Sequence, residues 1–351
     1  MRFGRSPGRE EAQAIRVGVF GAGYWGALTE AAARWLPEIA VDRVWSRNAE
    51  RATALASKVG CRVARALDDI EDLDLVVAGL PPVAIPPVAR SCLERGVPCL
   101  LEKPVSIDAA RVRELATRFD ELGAPAAVNL QGRFVPAVHA VRTAVASGRY
   151  GKLLEVEVSA LGNRGCAASP VPHSWLHRIE DGGGVAGISG PHAAEFLLSL
   201  AGTGEAVYSR SWTEVRHRPD EAGVMRECTA PDNVEILTTH DNGVRGRLRL
   251  STTARKKEEM WTARCEGGTL RVGADDRPVV VENFGESTPL PFDRCEILTK
   301  TGLSDHRGLE KCPDGVLPTL VLLARFVRGD PSVPDLHLMT RCMEILSPAV
   351  R

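Results

Sequence analysis

Two titratable side chains stand where the sequence pattern allows chemistry on a bound ligand. Lys103 lies in the tripeptide Glu102-Lys103-Pro104, directly after a predicted buried strand, Val97 to Leu101. Ligands of parallel α/β sheets bind at the carboxyl ends of the strands, where an ammonium can hydrogen-bond a ligand oxygen and stabilise negative charge on it. His192 follows a glycine-rich run and the proline that starts a predicted helix, so it falls in the first helical turn. We predict that Lys103 is catalytic and that His192 lies beside a backbone that a ligand can approach closely; the alternatives are a surface lysine and a structural histidine.

A glycine-rich turn near the N-terminus has the spacing of a dinucleotide-binding site. Gly21, Gly23 and Gly26 follow the predicted strand Ile15 to Phe20 and lead into a predicted helix from Ala27 to Leu36. In such a turn the first glycine allows the tight bend, the second lets the backbone approach a pyrophosphate, and the third lets the helix meet the strand. We predict that the turn and the helix N-terminus bind the phosphates of a nicotinamide dinucleotide.

The residues after the second predicted strand, Ala40 to Trp45, bear on the type of cofactor. Ser46 and Arg47 stand about twenty residues beyond Gly26, where a carboxylate would bind the ribose 2′-hydroxyl and an arginine would accommodate a 2′-phosphate. Asp42 lies inside the strand, three residues before its end, and should not reach the ribose. We therefore predict a preference for NADP(H) over NAD(H). The alternative is that Arg47 is an ordinary solvent-exposed residue at the start of a helix.

The elements that position these residues change in character along the chain. In residues 1–129, strands alternate with helices, and two further strands are predicted at Leu73 to Leu80 and Ala126 to Leu130. This alternation predicts an α/β domain with a doubly wound parallel sheet. The carboxyl ends of its strands would bring the glycine turn and Lys103 to one edge of the sheet.

Residues 130–351 follow a different pattern. Polar and apolar side chains alternate in Leu154 to Val158 and in Val244 to Leu250, which is typical of antiparallel strands with one buried face. We predict an α+β domain with an open, mostly antiparallel sheet, which binds substrate and forms oligomers. The segments Leu317 to Val327 and Leu336 to Leu346 are predicted helices that pack back on the first domain.

Composition excludes several classes of protein. The chain has 351 residues, enough for two domains, and its 44 lysines and arginines balance 45 aspartates and glutamates, so it lacks the basic surplus of a nucleic-acid-binding protein. The nine cysteines are never spaced Cys-x-x-Cys, which favours a reducing compartment over a disulfide framework or a zinc ribbon. Residues 1–14 lack the apolar segment of a signal peptide, and Leu75 to Ala89 is too short to span a bilayer. We expect a cytoplasmic protein with a small-molecule substrate and neither nucleic-acid nor membrane partners.

Several motifs together resemble the Gfo/Idh/MocA family of NAD(P)-dependent oxidoreductases, whose first domain is a Rossmann fold. They occur in order between Ile15 and about Leu200: Gly21-Ala-Gly-Tyr-Trp-Gly26, Ser46-Arg47, Leu80-Pro81-Pro82, Glu102-Lys103-Pro104, Gln131 to Pro136, and Gly182-Gly-Gly184 followed by Gly190-x-His192. The resemblance implies hydride transfer between nicotinamide C4 and a carbonyl or hydroxyl carbon, often on a sugar, sugar nucleotide or cyclitol. It also implies a homodimer or homotetramer built through the open sheet of the C-terminal domain.

The resemblance further implies which residues contact the ligands. Cofactor contacts are expected from Gly21, Gly23, Tyr24, Trp25, Gly26, Ser46, Arg47, Leu80, Pro81, Glu102, Lys103 and Gln131. The resemblance implies that His192 contacts the substrate and is catalytic, as a proton donor or acceptor. From their own positions, substrate contacts are also expected from Arg133, His173, Trp175 and Ile188.

Three of these assignments have alternatives. Arg133 either contacts an anionic group of the substrate or forms an interdomain ion pair. Trp175 either stacks on a substrate ring or anchors its loop. His173 and His177 are four residues apart, but two histidines without an accompanying glutamate pattern seldom bind metal, so we predict no metal site.

One departure from the family pattern stands at Ile188. The family places an aspartate four residues before the histidine, and isoleucine can neither orient a lysine nor relay a proton. Either Lys103 and His192 suffice, or another polar residue substitutes (Ser189, Glu195 or the loop 172–177), or catalysis has been lost. Two alternative functions follow: an imine reductase for a less hydroxylated substrate in a specialised biosynthetic route, and a non-catalytic NAD(P)-binding regulatory protein.

Overall fold

The computed structural model describes residues 14–273, 278–281, 285, 287–291 and 312–350, and these form two compact units. The first unit contains residues 14–106, 110–134 and 312–337, and the second contains 107–109, the described part of 135–293, and 338–350. None of the helices that the structure describes combines the length and the apolar character needed to cross a bilayer.

The first unit is built on a six-stranded parallel sheet, as the alternating pattern predicts. Its strands are β1 (Ile15–Phe20), β2 (Ile39–Trp45), β3 (Arg62–Val63), β4 (Leu75–Ala78), β5 (Cys99–Leu101) and β6 (Ala126–Val128). Their spatial order is β3-β2-β1-β4-β5-β6 with every pair parallel, which is the order of a doubly wound dinucleotide-binding fold. The order in which strands are added to the sheet reverses between β1 and β4, so ligands are expected at the carboxyl ends of these two strands.

Helices connect consecutive strands of this sheet. They are α1 (Tyr24–Ala33), α2 (Ala49–Val59), α3 (Ile85–Glu94) and α4 (Ala109–Glu121). Helix α2 has the expected end signals, because the Asn48 side chain accepts a hydrogen bond from the Arg51 amide and Gly60 ends the helix in a left-handed conformation. Helix α1 begins three residues earlier than predicted, inside the glycine motif, with Gly23 as its N-cap.

The second unit contains a mixed eight-stranded sheet and a separate two-stranded one. Its strands are β7 (Leu153–Leu161), β8 (Gly204–Trp212), β9 (His217–Pro219), β10 (Met225–Glu227), β11 (Asn233–His240), β12 (Arg245–Ser251), β13 (Glu258–Cys265), β14 (Gly268–Gly273), β15 (Pro278–Val281) and β16 (Ser287–Pro289). The larger sheet has the order β16-β15-β14-β13-β7-β12-β11-β8, and β9 pairs with β10.

Most strand pairs of the larger sheet are antiparallel, as predicted, with one exception. Strands β7 and β12, which contain the two alternating segments singled out in the sequence, are parallel neighbours. Each also has the expected antiparallel partner, β13 for β7 and β11 for β12, so only the direct β7–β12 pair departs from antiparallel pairing. Alternation reports that one face of a strand is buried, but it does not report the direction of the neighbouring strand.

Three helices of this unit are α5 (Pro136–Ala146), α6 (Val185–Ile188) and α7 (Gly190–Ala201). They cover one face of the eight-stranded sheet; Phe196 of α7, for example, packs edge-on against Trp261 of β13, with ring centroids 5.2 Å apart. The opposite face carries side chains that this chain leaves exposed, among them Tyr208, Leu237 and Met260.

The two predicted helices near the end of the chain are present as α8 (Leu317–Val327) and α9 (Leu336–Leu346). Helix α8 belongs to the first unit, where it contacts α1 and joins the core that includes Val17 and Val19. Most of α9, from residue 338 onward, belongs to the second unit. A single boundary after residue 129 is thus too simple, because the apolar α8 completes the core of the first unit from a distant part of the sequence.

Candidate functional site

The glycine turn after β1 is shaped by two close backbone contacts. Gly21 has φ = +117°, and a Cβ added there would lie 2.2 Å from the carbonyl oxygen of Gly79. A Cβ added at Gly26 would lie 1.6 Å from the carbonyl oxygen of Gly21. Both positions therefore require glycine, since neither contact involves a side chain that could rotate away.

Gly23 differs from these two glycines, because a Cβ added there would meet no atom of the described residues within 4 Å. It is the N-cap of α1, and no side chain of the described residues caps the helix there. The first amide groups of a helix lack intrahelical partners and carry partial positive charge. An open backbone cradle at such a helix start fits a phosphate group. Tyr24 is exposed beside it and Trp25 is partly buried.

Two charged residues near the end of β2 differ in whether they already have partners in the protein. Asp42 accepts hydrogen bonds from Arg16 (3.0 Å) and Arg43 (2.8 Å), and these bonds outweigh burial and hold the pKa of Asp42 below its usual value. The carboxylate of Asp42 is thus paired with neighbouring arginines, in line with the expectation that it does not bind the ribose. Arg47 is exposed and makes no hydrogen bond or ion pair with a described residue, while the Ser46 hydroxyl accepts from the Asn48 amide at 3.3 Å.

Three further predicted residues follow β4 and β6. Leu80 is buried and Pro81 is half-buried after β4. Gln131 starts a short 3₁₀ helix, Gln131–Phe134, after β6, and its side-chain oxygen is buried without a hydrogen-bond partner among the described residues. In the same 3₁₀ helix, Arg133 donates to the backbone carbonyl of Ser332 at 3.1 Å, within the first unit.

Lys103 lies at the carboxyl end of β5 in a buried polar cluster. Its side chain is largely buried, with Nζ 3.6 Å from Oε1 of Glu102 and 5.6 Å from the centroid of the Trp25 ring. The other carboxylate oxygen of Glu102 accepts a 2.6 Å hydrogen bond from the side-chain amide of Asn129. Burial raises the pKa of Glu102 to about 7 and lowers the pKa of Lys103, each opposed by the charge of the other. The proton affinities of the two groups are thus brought closer together than in water.

His192 is the third residue of α7 and is half-buried. The preceding glycines are conformationally required: Gly184 has φ = +91°, and a Cβ at Gly183 would lie 2.4 Å from the carbonyl oxygen of Trp175. Ile188 ends the short helix α6 and is also half-buried. Of the residues considered as substitutes for an aspartate there, Glu195 is buried in an ion pair with Arg142, which commits its carboxylate to the interior of the second unit.

The loop before α6 holds His173, Trp175 and His177. The rings of His173 and His177 stack with centroids 5.5 Å apart, and His173 Nε2 lies 3.0 Å from the carbonyl oxygen of Glu227. His177 Nδ1 accepts from the Ser174 amide, and burial together with the positive charges of Arg218 and His173 lowers the pKa of His177 to about 4. His177 is therefore neutral at physiological pH. The described residues contain no group of three or more His, Cys, Asp or Glu side chains that could hold a metal ion.

Comparison with known proteins agrees with this geometry. Residues 15–130 match the model of the oxidoreductase family with an NAD-binding Rossmann fold, and residues 138–271 match the GFO/IDH/MocA C-terminal domain. The chain belongs to the GFO/IDH/MocA family. It is an NAD(P)-dependent oxidoreductase, and the resemblance seen in its motifs is confirmed.

Individual relatives of this GFO/IDH/MocA protein show the range of the family. Inositol 2-dehydrogenase of Rhizobium meliloti is 32% identical over 162 residues, which are 45% of this chain and 48% of that protein. Trans-1,2-dihydrobenzene-1,2-diol dehydrogenase of Bos taurus is 29% identical over 292 residues, 79% of this chain and 81% of that one. The structure of levoglucosan dehydrogenase in complex with NADH shares the fold, with a TM-score of 0.81, 17% identity and 96% of each chain covered.

Two residues beside the candidate site, Gly79 and Asn129, are not indicated by the sequence motifs. Gly79 follows β4 and lies against both the Gly21 turn and Trp25. Its signal was a glycine near the end of the predicted strand Leu73 to Leu80, next to the dinucleotide motif across the sheet. Asn129 follows β6 and holds Glu102. The sequence offers no spacing signal for this pair, because 27 residues and a helix separate its members.

Proposed function

We propose that this protein transfers a hydride between nicotinamide C4 and a carbonyl or hydroxyl carbon of a small, polar, cyclic substrate such as a sugar, sugar nucleotide or cyclitol. The observation that carries the proposal is the buried Lys103 at the carboxyl end of β5, on the same sheet edge as the open Gly23 cradle. The named dehydrogenases among the relatives act on hydroxylated rings, which supports the substrate class.

The residues of the chain take distinct parts in this proposal. The nicotinamide cofactor supplies or accepts the hydride. The Gly21 turn and the first amides of α1 hold its phosphates. Lys103 hydrogen-bonds the substrate oxygen and donates a proton to it during reduction, or accepts one during oxidation. His192 binds the substrate or completes the proton path, and Arg133, His173 and Trp175 contribute substrate contacts.

Preference for NADP(H) is part of the proposal. The exposed guanidinium of Arg47 follows β2, where a 2′-phosphate would lie, and the nearby Asp42 is already paired with arginines. The measurement is a fluorescence titration with NADPH and NADH. Equal dissociation constants for the two would contradict the preference.

Reduction of a cyclic imine is a second candidate function. The observation that favours it is the half-buried Ile188, which places an apolar side chain four residues before His192. A spectrophotometric panel of NADPH with ketoses, cyclitol ketones and cyclic imines separates the two functions. Turnover that survives Lys103→Ala at full rate would refute the mechanism, and cofactor binding without any turnover would favour a regulatory protein.

Self-association through the eight-stranded sheet is also proposed. The face of this sheet opposite α5, α6 and α7 carries Tyr208, Leu237 and Met260, which are 49%, 43% and 41% exposed in the single chain. Tyr208 and Leu237 are paired neighbours on β8 and β11, and adjacent exposed apolar side chains of this kind mark interaction sites. Light scattering coupled to size exclusion should give a homodimer or homotetramer, and Leu237→Arg should shift it to monomer. A monomeric wild type would refute this part.

A further inference from the structure

Glu102 and Asn129 are the first residues after two neighbouring strands of the first unit, β5 and β6. Strands β5 and β6 are parallel neighbours with Leu101 opposite Val128, so the next residue of each strand lies at the same sheet edge. The Asn129 amide continues the ladder by donating to the Leu101 carbonyl at 2.7 Å. The backbone thus fixes both positions before any side chain is considered.

The side chain of Asn129 orients the carboxylate of Glu102 toward Lys103. Asn129 Nδ2 donates to Oε2 of Glu102 at 2.6 Å, which leaves Oε1 turned toward Lys103 Nζ at 3.6 Å. This Oε1 is buried and has no hydrogen-bond partner among the described residues. A buried carboxylate oxygen is costly without a donor, and the nearest ammonium is that of Lys103.

Burial also makes the two groups similar in proton affinity. It raises the pKa of Glu102 to about 7 and lowers that of Lys103, so the difference that separates a carboxylic acid from an amine in water shrinks. The groups that act on this pair include the two charges themselves, the Asn129 amide, the Lys103 backbone amide and the face of the Trp25 ring. Interacting groups of this kind titrate as a pair.

We propose that Glu102, held by Asn129, is a positioning residue that stores the proton which Lys103 exchanges with the substrate. This inference rests on the proposed function, because it assigns Lys103 as the proton donor. During reduction, one Nζ–H bond of Lys103 breaks and an O–H bond forms on the substrate as hydride reaches its carbon. The O–H bond of the Glu102 carboxyl then breaks, a new Nζ–H bond forms, and solvent returns a proton to the carboxylate. Oxidation runs through the same transfers in reverse.

The first test needs neither substrate nor cofactor. Competitive acetylation by acetic anhydride across a range of pH, read by peptide mass spectrometry, gives the apparent pKa of Lys103 in the full-length protein. Glu102→Gln should lower that pKa by about one unit or more, since an opposite charge at this distance shifts a pKa by one to three units. Asn129→Leu should lower it by less. An unchanged pKa of Lys103 in Glu102→Gln would overturn the proposal.

Glu30→Gln is the matched control. Glu30 is also a buried glutamate of the first unit, with Oε2 3.0 Å from a lysine ammonium, that of Lys58. It lies on α1, and its carboxylate pairs with Lys58 and Arg34, neither of which is a predicted site residue. This variant should leave the pKa of Lys103 unchanged. A shift as large as that in Glu102→Gln would mean that general loss of a buried carboxylate, and not the Glu102 contact, is being measured, and would also overturn the proposal.

The second test uses NADPH with a cyclitol ketone, 2-keto-myo-inositol. Glu102→Gln should lower kcat at least tenfold, remove the limb of the pH profile near pH 7, and leave KM for the ketone within about twofold. Glu102→Asp should restore part of kcat. Wild-type kcat and a wild-type pH profile in Glu102→Gln would refute proton storage. A wild type that reduces no substrate refutes the proposed function instead, and acetylation still decides the coupling of Glu102 to Lys103.

Discussion

Alanine substitutions at Gly23 and Gly26 should separate cofactor binding from folding. At Gly23 the added methyl group enters open space, and φ = −86° is an ordinary value for alanine, so the loss of stability should stay near the few tenths to about 1 kcal/mol of an N-cap change. The same methyl group would occupy the cradle at the start of α1. We expect NADPH affinity to fall about 10- to 100-fold, or about 1.4 to 2.7 kcal/mol.

At Gly26 the cost is of a different kind. The added Cβ would lie 1.6 Å from the Gly21 carbonyl oxygen, less than half of an ordinary van der Waals separation, and only movement of α1 relative to the turn can relieve it. Residues Ala32 and Ala33 of that helix are in the core, so we expect overpacking of about 3 kcal/mol. This corresponds to roughly 6 to 12 °C in the Tm of a unit of this size.

Thermal unfolding and NADPH titration by protein fluorescence, carried out on both variants, check these values. Gly26→Ala should lose both stability and cofactor affinity strongly, whereas Gly23→Ala should lose affinity with no more than about 1 kcal/mol of stability. Wild-type NADPH affinity in Gly23→Ala would refute the assignment of the cradle to the cofactor phosphates. Wild-type stability in Gly26→Ala would show that the turn tolerates a contact that the backbone geometry forbids.

Three further changes are expected to have measurable effects. Arg47→Glu should weaken NADPH at least tenfold while NADH changes less than threefold, as measured by fluorescence titration; an equal loss for both would contradict a 2′-phosphate contact. Arg218 is buried and donates to the backbone carbonyls of residues 165, 166, 169 and 171, so Arg218→Met should cost about 3 kcal/mol or more in the urea unfolding of the second unit. Because the pKa of His177 is about 4 when folded and near 6.5 when unfolded, the unfolded state binds more protons in between, and stability should fall as the pH drops from 6.5 to 4. His177→Gln should flatten that part of the Tm-against-pH curve, and an unchanged slope would disprove the assignment.

Much of the fold could be predicted because its signals are local. The alternation of strands and helices up to β6 follows from short apolar runs separated by turn residues, and the glycine spacing located the start of α1 to within three residues. The parallel pairing of β7 with β12 could not be predicted, since it depends on which distant strand becomes the neighbour. The placement of α8 in the first unit likewise depends on tertiary packing and not on its own periodicity.

The candidate site was predictable where backbone geometry demands one residue type. Gly21 and Gly26 are required by contacts with neighbouring carbonyl groups, and Lys103 follows a strand end that any parallel sheet would present to a ligand. Asn129 was not predictable, because its hydrogen bond to Glu102 exists only once β5 and β6 are neighbours. The roles of Lys103 and His192 stay predictions until the variants are measured.

The position of helix α8 in the sequence also affects the order in which the two units can fold during synthesis. During synthesis the ribosome releases the residues of β1 to β6 long before those of α8. The apolar core residues Val17 and Val19, which belong to the same cluster as this helix, therefore stay partly exposed until α8 has been synthesised. Most of the second unit, by contrast, comes from one continuous stretch of chain after residue 134. Most of the second unit can therefore fold before the core of the first unit is complete. A fragment cut after residue 130 should expose apolar surface and aggregate, instead of folding as an independent cofactor-binding domain.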